Sequence, residues 1–234
     1  QGVSTYVNAR FYHKTRRGGT NTFILSHESS TTDKLFKMVK RFHEGVHDSL
    51  RPATSASNRR ELVFDDIDSE YFVGTAGSKN VGRGGTVQLF HGSEVHFWDN
   101  TDDIESGVLE SVPFERGTEI IHESTARGMS GMFYEKCMNA MQGKGDFILI
   151  FIPWFVQEEY RRPVEDGFTL TDEETALKDV YSLDDGQINW RRYKIYNAKN
   201  GLKQFQQEYP CNVMEAFQTS GDGLIRPDMI IKAR

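Results

Sequence analysis

The chain of 234 residues is 37% hydrophobic and 26% charged, an ordinary globular composition that suits one large domain or one domain with a smaller appendage. A net charge of −6 argues against nucleic acid wrapped over the whole surface, while leaving room for a local basic track. No apolar run approaches the roughly 20 residues needed to cross a bilayer, and Cys137 and Cys211 lie far apart without metal-ligand spacing, as free thiols of a reducing compartment would.

In chain order, "STYVNARFYHK" (Ser4–Lys14) has apolar residues at helical spacing behind hydroxyl residues suited to a helix start. "NTFILSHE" (Asn21–Glu28) reads as a short buried strand, and "STTDKLFKMVKRFHEGV" (Ser30–Val46) as an amphipathic helix with Leu35, Met38, Val39 and Phe42 on one face. A polar loop over 47–60 precedes a strand pair, "ELVFDD" (Glu61–Asp66) and "EYFVGTAG" (Glu70–Gly77). The glycine-rich "GSKNVGRGG" (Gly77–Gly85) leads into a strand, "TVQLFH" (Thr86–His91). Then come a helix over 102–112, the strand "GTEIIHE" (Gly117–Glu123), a helix over 131–142 and "DFILIFIPW" (Asp146–Trp154). The last of these is apolar throughout and reads as a strand buried on both faces. Helical, charged segments follow over 171–183, 185–198 and 201–210. This alternation predicts an α/β fold with a mostly parallel sheet flanked by helices, followed from about residue 155 by a small, mainly helical subdomain.

Four places could carry chemistry. "QGVST" puts Gly2, Ser4 and Thr5 at a helix start, where free N–H groups attract phosphate, although an ordinary helix cap explains the same residues. "LFHGSE" delivers Glu94 at the carboxyl end of an apolar strand, the edge where open α/β sheets bind ligands. A carboxylate there can polarise a water for attack on a γ-phosphate, or close a salt bridge within a loop. Arg83, in the glycine loop, is either a surface charge or an arginine that reaches a neighbouring subunit's nucleotide. "STARG" opens with Ser124 and Thr125 at a strand end, where hydroxyls can meet a γ-phosphate or cap the next helix. The basic stretches "HKTRRGG", "NRR" and "RRYKIYNAKNGLK" read, each alone, as solvated faces.

Taken in order, these pieces resemble the ATPase region of the large subunit of a tailed-bacteriophage terminase, a DNA-packaging motor. "QGVST" is similar to the end of that family's deviant phosphate loop (Walker A), "GSEVHFW" to its acidic strand-end motif (Walker B), and "GTEIIHESTARGMSGMFYE" to its coupling motif and following helix. "FIPWF", "EEYRRP", "INWRRYKI" and "FQQEYPCNVMEAFQTSG" extend the resemblance nearly to the end of the chain.

The resemblance implies a P-loop NTPase core of the ASCE type over 1–155, a helical linker over 156–220, and over 221–234 the start of a connection to a nuclease domain outside this sequence. Gln1, Gly2, Val3, Ser4 and Thr5 would bind ATP, with Ser4 on Mg²⁺. Glu94 would activate water, Arg83 would act on the adjacent subunit's ATP, and Ser124, Thr125 and Ala126 would form the coupling motif. The implied partners are double-stranded DNA, a small terminase subunit, a portal protein and further copies in a homo-oligomeric, pentameric ring on the procapsid, in the host cytoplasm and without a membrane. Two departures stand out. Val3 occupies the usual lysine position, with the expected replacement a basic residue upstream of Gln1, and Ser93 stands where an Asp commonly precedes the Glu. The rival expectations are a helicase-like, nucleic-acid-dependent ATPase and a non-catalytic assembly module with a decayed nucleotide site.

Overall fold

A computed structural model describes residues 2–78, 85–99 and 101–219. They form two compact units that meet in the chain between Ser124 and Thr125. In the first unit, helix α1 (Val3–Thr15), strand β1 (Asn21–Ser26) and helix α2 (Ser29–Gly45) precede β2 (Ala56–Ser57), β3 (Glu61–Phe64) and β4 (Ser69–Thr75). Then follow β5 (Leu89–Ser93), α3 (Thr101–Val108) and β6 (Glu119–Glu123). The sheet order is β2-β3-β4-β1-β5-β6. Strands β4, β1, β5 and β6 run parallel, and β3 and β2 are added antiparallel at one edge. The α/β, mostly parallel architecture expected from the sequence is therefore the one observed, and the two strands around residues 61–75 do pair with each other.

Side-chain alternation along these strands sorts the residues onto two faces. Thr22, Ile24 and Ser26 of β1 and Leu89, His91 and Ser93 of β5 share the face that carries α1. Ile24 and Leu89 pack there with Val7 and Phe11, the Phe11 ring meets His91 edge-on, and Thr22 Oγ1 lies 2.6 Å from Thr15 Oγ1. The α2 stripe adds Leu35, Phe36 and Val39 to this core, with Phe42 half-buried beside it. A buried polar pair is satisfied within it, since Tyr71 Oη–H donates to Asn8 Oδ1 at 3.0 Å. On the opposite face, Phe23 stacks on Phe72 at 4.6 Å and meets Phe90 at 5.7 Å.

Strand β5 begins and ends later than the sequence suggested, at 89–93 instead of 86–91. Gly92 and Ser93 therefore belong to the strand, and Glu94 is the first residue past it.

The second unit carries α4 (Met132–Met141), α5 (Asp172–Tyr181), α6 (Asp185–Asn197), α7 (Gly201–Glu208) and α8 (Val213–Thr219). Capping boxes start α5, through Thr171 and Glu174, and α6, through Asp184 and Gln187. The Arg192 guanidinium holds the Glu174 carboxyl down to about 2, against the opposing effect of its burial. An aromatic core of Trp154, Trp190 and Phe205 packs with Leu183 and Ile188, and Cys211 joins it as a buried free thiol; Cys137 is likewise free and buried.

The expectation of a buried strand over Asp146–Trp154 is corrected: among the described residues this run pairs with no strand. Its side chains alternate, with Ile148, Ile150 and Ile152 exposed at 87%, 79% and 54%, while Leu149 and Phe151 pack on Ala126, Cys137 and Phe217. One face, not two, is covered. No helix among the described residues is long and apolar enough to cross a membrane.

Candidate nucleotide site at the carboxyl rim

The strand registers place Thr75, Ser26, Ser93 and Glu123 in one row across the carboxyl ends of β4, β1, β5 and β6. Helix α1 starts at that rim. Gly2 stands at its capping position in the left-handed region, at φ +92°, a conformation natural to glycine. Among the described residues no side chain caps this start and no acidic residue lies in its first turn, so the N–H groups ahead of the Tyr6 N–H to Gly2 O bond have no side-chain cap. Ser4 lies inside the helix, so it is not the cap, and its hydroxyl donates to Glu123 Oε1 at 2.8 Å.

The axis of α1 is pinned at both ends of β6. At the far edge Arg10 grips Glu119 in a two-pronged bond of 2.8 and 2.7 Å, and Lys14 joins the same carboxylate. Arg10 in the first place, with Lys14, keeps the Glu119 carboxyl below the usual carboxylate range.

Glu94 turns the chain off the end of β5 with a left-handed backbone, φ +54° and ψ +46°. In a residue with a side chain that conformation costs roughly 1 kcal/mol, and such strain gathers at functional sites. The turn is held by Phe97 N–H to Glu94 O at 3.0 Å and by the Trp98 indole N–H to Ser93 O at 3.0 Å. Ser124, the last residue of the first unit, accepts from His96 N–H at 3.1 Å and places its hydroxyl 3.5 Å from Glu94 Oε2. Behind this turn Gly92 has no room for a side chain, because a Cβ would come within 2.8 Å of both the His122 and Trp98 rings. Gly92→Ala is expected to cost about 1–3 kcal/mol in urea unfolding. An unchanged midpoint would show that those rings yield freely.

Among the residues expected at the site, Glu94 and Ser124 are brought together at the rim, and Ser4 and Gly2 stand at the start of α1, where Ser4 bonds Glu123; Val3 is half-buried and Thr5 exposed in the first turn of α1. Gln1 and Arg83 lie outside the described residues, as does the 221–234 connection. Thr125 and Ala126 open the second unit, where Thr125 is exposed and Ala126 is buried beside Cys137 and Phe217.

Glu123 was missed in the sequence, although it repeats the signal that singled out Glu94, a carboxylate closing an apolar strand. Burial pushes its carboxyl up, but His91, Ser4 and Ser93 outweigh that effect and hold it below the usual range. His91 is fully buried, with Nε2 at 3.4 Å from Glu123 Oε1, and neither ring nitrogen makes a hydrogen bond. Ser26 Oγ, in the same row, is also buried without a hydrogen-bond partner.

These groups fit a nucleotide carrying Mg²⁺. Uncapped helix N–H groups suit phosphate, and a hydroxyl with carboxylates nearby suits a hard, hydrated cation. Among the described residues no three His, Cys, Asp or Glu side chains cluster as a metal site, so phosphate oxygens would complete the shell.

No protein-family model matches the sequence, and neither does any curated protein. Solved structures do resemble it. The large terminase of bacteriophage HK97 is 13% identical with a TM-score of 0.56, over 89% of this chain and 42% of that one. The large terminase ATPase domain of Thermus phage P74-26 is 15% identical with a TM-score of 0.52, over 90% of this chain and 84% of that one. The chain thus spans less than half the length of the HK97 protein. At such identities the likeness is one of fold: this chain has the fold of the ATPase domains of phage large terminases.

Proposed function

We propose that this chain is the ATP-hydrolysing motor domain of a phage large terminase, driving double-stranded DNA into a procapsid. The observation that supports this most is that two pairs, Ser4 with Glu123 and Glu94 with Ser124, stand at the carboxyl rim where the uncapped α1 begins. The first-turn N–H groups, with Gly2 allowing close approach, bind the phosphates of ATP, and Ser4 supplies a hydroxyl ligand for Mg²⁺. When bound, Mg²⁺ neutralises charge on the phosphate oxygens. Glu94 accepts a proton from the attacking water, whose oxygen bonds to the γ-phosphorus as the bond to the β–γ bridging oxygen breaks, leaving ADP and phosphate.

Ser124, with Thr125 and Ala126 after it, carries the consequence of γ-phosphate loss towards the second unit. The segment over 156–220 forms the linker to a nuclease domain. DNA is held by backbone contacts, weakened by salt and largely blind to sequence. A ring of copies on a portal, working with a small terminase subunit, lets Arg83 of one copy reach the ATP of the next.

The test is ATP turnover of the intact polypeptide with and without duplex DNA. Turnover stimulated by duplex without strand separation is expected. Strand separation would mark a helicase-like enzyme, and no turnover would mark an assembly module with a decayed site. In the assembled ring, Arg83→Ala should lower turnover by about 10³-fold or more, as loss of an arginine finger does. Adding Glu94→Gln subunits, which retain Arg83, should restore part of it. A mixture no better than the variant alone would rule out action between subunits.

A further inference from the structure

Two carboxylates, not one, end parallel strands at this rim. Glu94 follows β5, and Glu123 closes β6 in register with Ser93, on the face that carries α1. Ser93 stands beside Glu123 in the same strand-end row, yet a neutral hydroxyl cannot accept strongly from a cation's waters. Glu123 can. Its Oε1 takes the Ser4 proton at 2.8 Å, which leaves the lone pairs of Ser4 Oγ free to bind a metal.

A purely structural brace is the competing explanation. That duty is already met at the other end of β6 by Arg10 and Lys14 on Glu119. A Gln at 123 would also accept from Ser4 without the cost of desolvating a charge. Instead the chain keeps a carboxylate that is only 17% exposed, with a fully buried His91 at 3.4 Å behind it and the unpartnered, buried Ser26 Oγ in the same row. A hydrated divalent cation would give this carboxylate a positive charge and further hydrogen-bond donors.

We infer that Glu123 is the positioning carboxylate of the nucleotide's divalent cation, orienting Ser4 and accepting from the cation's waters in place of an acid at position 93. The inference rests on the nucleotide reading of the rim. It differs from the role of Glu94, which acts on the attacking water.

Binding of a fluorescent ATP analogue to the intact polypeptide, in Mg²⁺ and in EDTA, separates the two, with electron paramagnetic resonance of Mn²⁺ reporting the metal directly. Glu123→Gln should weaken Mn²⁺ in the nucleotide-loaded protein about 10- to 100-fold, as loss of an orienting outer partner does. Affinity in EDTA should be unchanged or tighter. Ser93→Asp added to Glu123→Gln should recover most of the Mn²⁺ affinity, since the new carboxylate sits one strand away in the same row; it also serves as the second variant should the single one fail to fold. Wild-type Mn²⁺ affinity in Glu123→Gln overturns the inference while leaving nucleotide binding intact. An equal loss in Mg²⁺ and in EDTA also overturns it, because it marks a structural brace. A wild-type protein that binds the analogue under neither condition overturns the nucleotide reading itself, and the inference with it.

Discussion

Glu94→Gln is expected to lower ATP turnover by about 10²- to 10⁴-fold, the usual contribution of a positioned general base, while nucleotide affinity stays near wild type. The amide keeps the size of the side chain and its reach to Ser124, 3.5 Å away, but it can no longer take a proton from water. Transition-state stabilisation is lost and ground-state binding is not, so kcat should fall with little change in KM. The substitution also leaves the left-handed turn at 94 as it was, because Gln and Glu tolerate φ +54° equally poorly. Phosphate release measured beside an equilibrium nucleotide titration would check it. Turnover within a few-fold of wild type would move the general base elsewhere on the rim.

The sequence made the parallel core legible because its strands are short apolar runs punctuated by polar turns. The α2 stripe is the plainest case: Leu35 and Val39 recur at helical spacing and are buried. The placement of Ser4, Glu94 and Ser124 at the rim was legible because each stands next to the start of a helix or the end of a strand. The run over 146–154 misled, since continuous apolarity cannot tell a strand covered on both faces from a segment covered on one. Ile148, Ile150 and Ile152 show which it is. Helix α8 also escaped notice, although Asn212 with Glu215 three residues on is a helix-start signal. Asn212 Oδ1 does accept from Glu215 N–H at 2.9 Å. Glu123 shows the deeper limit. Its partnership with Ser4 spans 119 residues and depends on which strand lies beside β5, a fact of register that no local pattern carries.

The second unit offers the largest stability effect. Trp190, only 7% exposed, lies between two rings, stacked on Tyr160 at 4.3 Å and on Trp154 at 5.2 Å, with Tyr209 edge-on at 5.1 Å. Each such pair adds about 0.5–1.5 kcal/mol beyond simple burial. Helix α6 presents this indole from the same segment that sends Arg191 to Glu173 and Arg192 to Glu174, so one ring anchors a helix whose polar side is tied by ion pairs to α5. Each pair joins one buried partner, Arg191 or Glu174, to a more exposed one, and neither replaces the packing that the indole provides. Trp190→Ala should therefore destabilise this unit by about 3–5 kcal/mol, and Trp190→Phe by clearly less, because a phenyl ring can keep one stack. Urea unfolding followed by near-ultraviolet circular dichroism would report it through the loss of ordered aromatic packing. A midpoint for Trp190→Ala no lower than that of Trp190→Phe would mean that Tyr160 and Trp154 close the gap themselves, and that the stack does not set the stability of the helices.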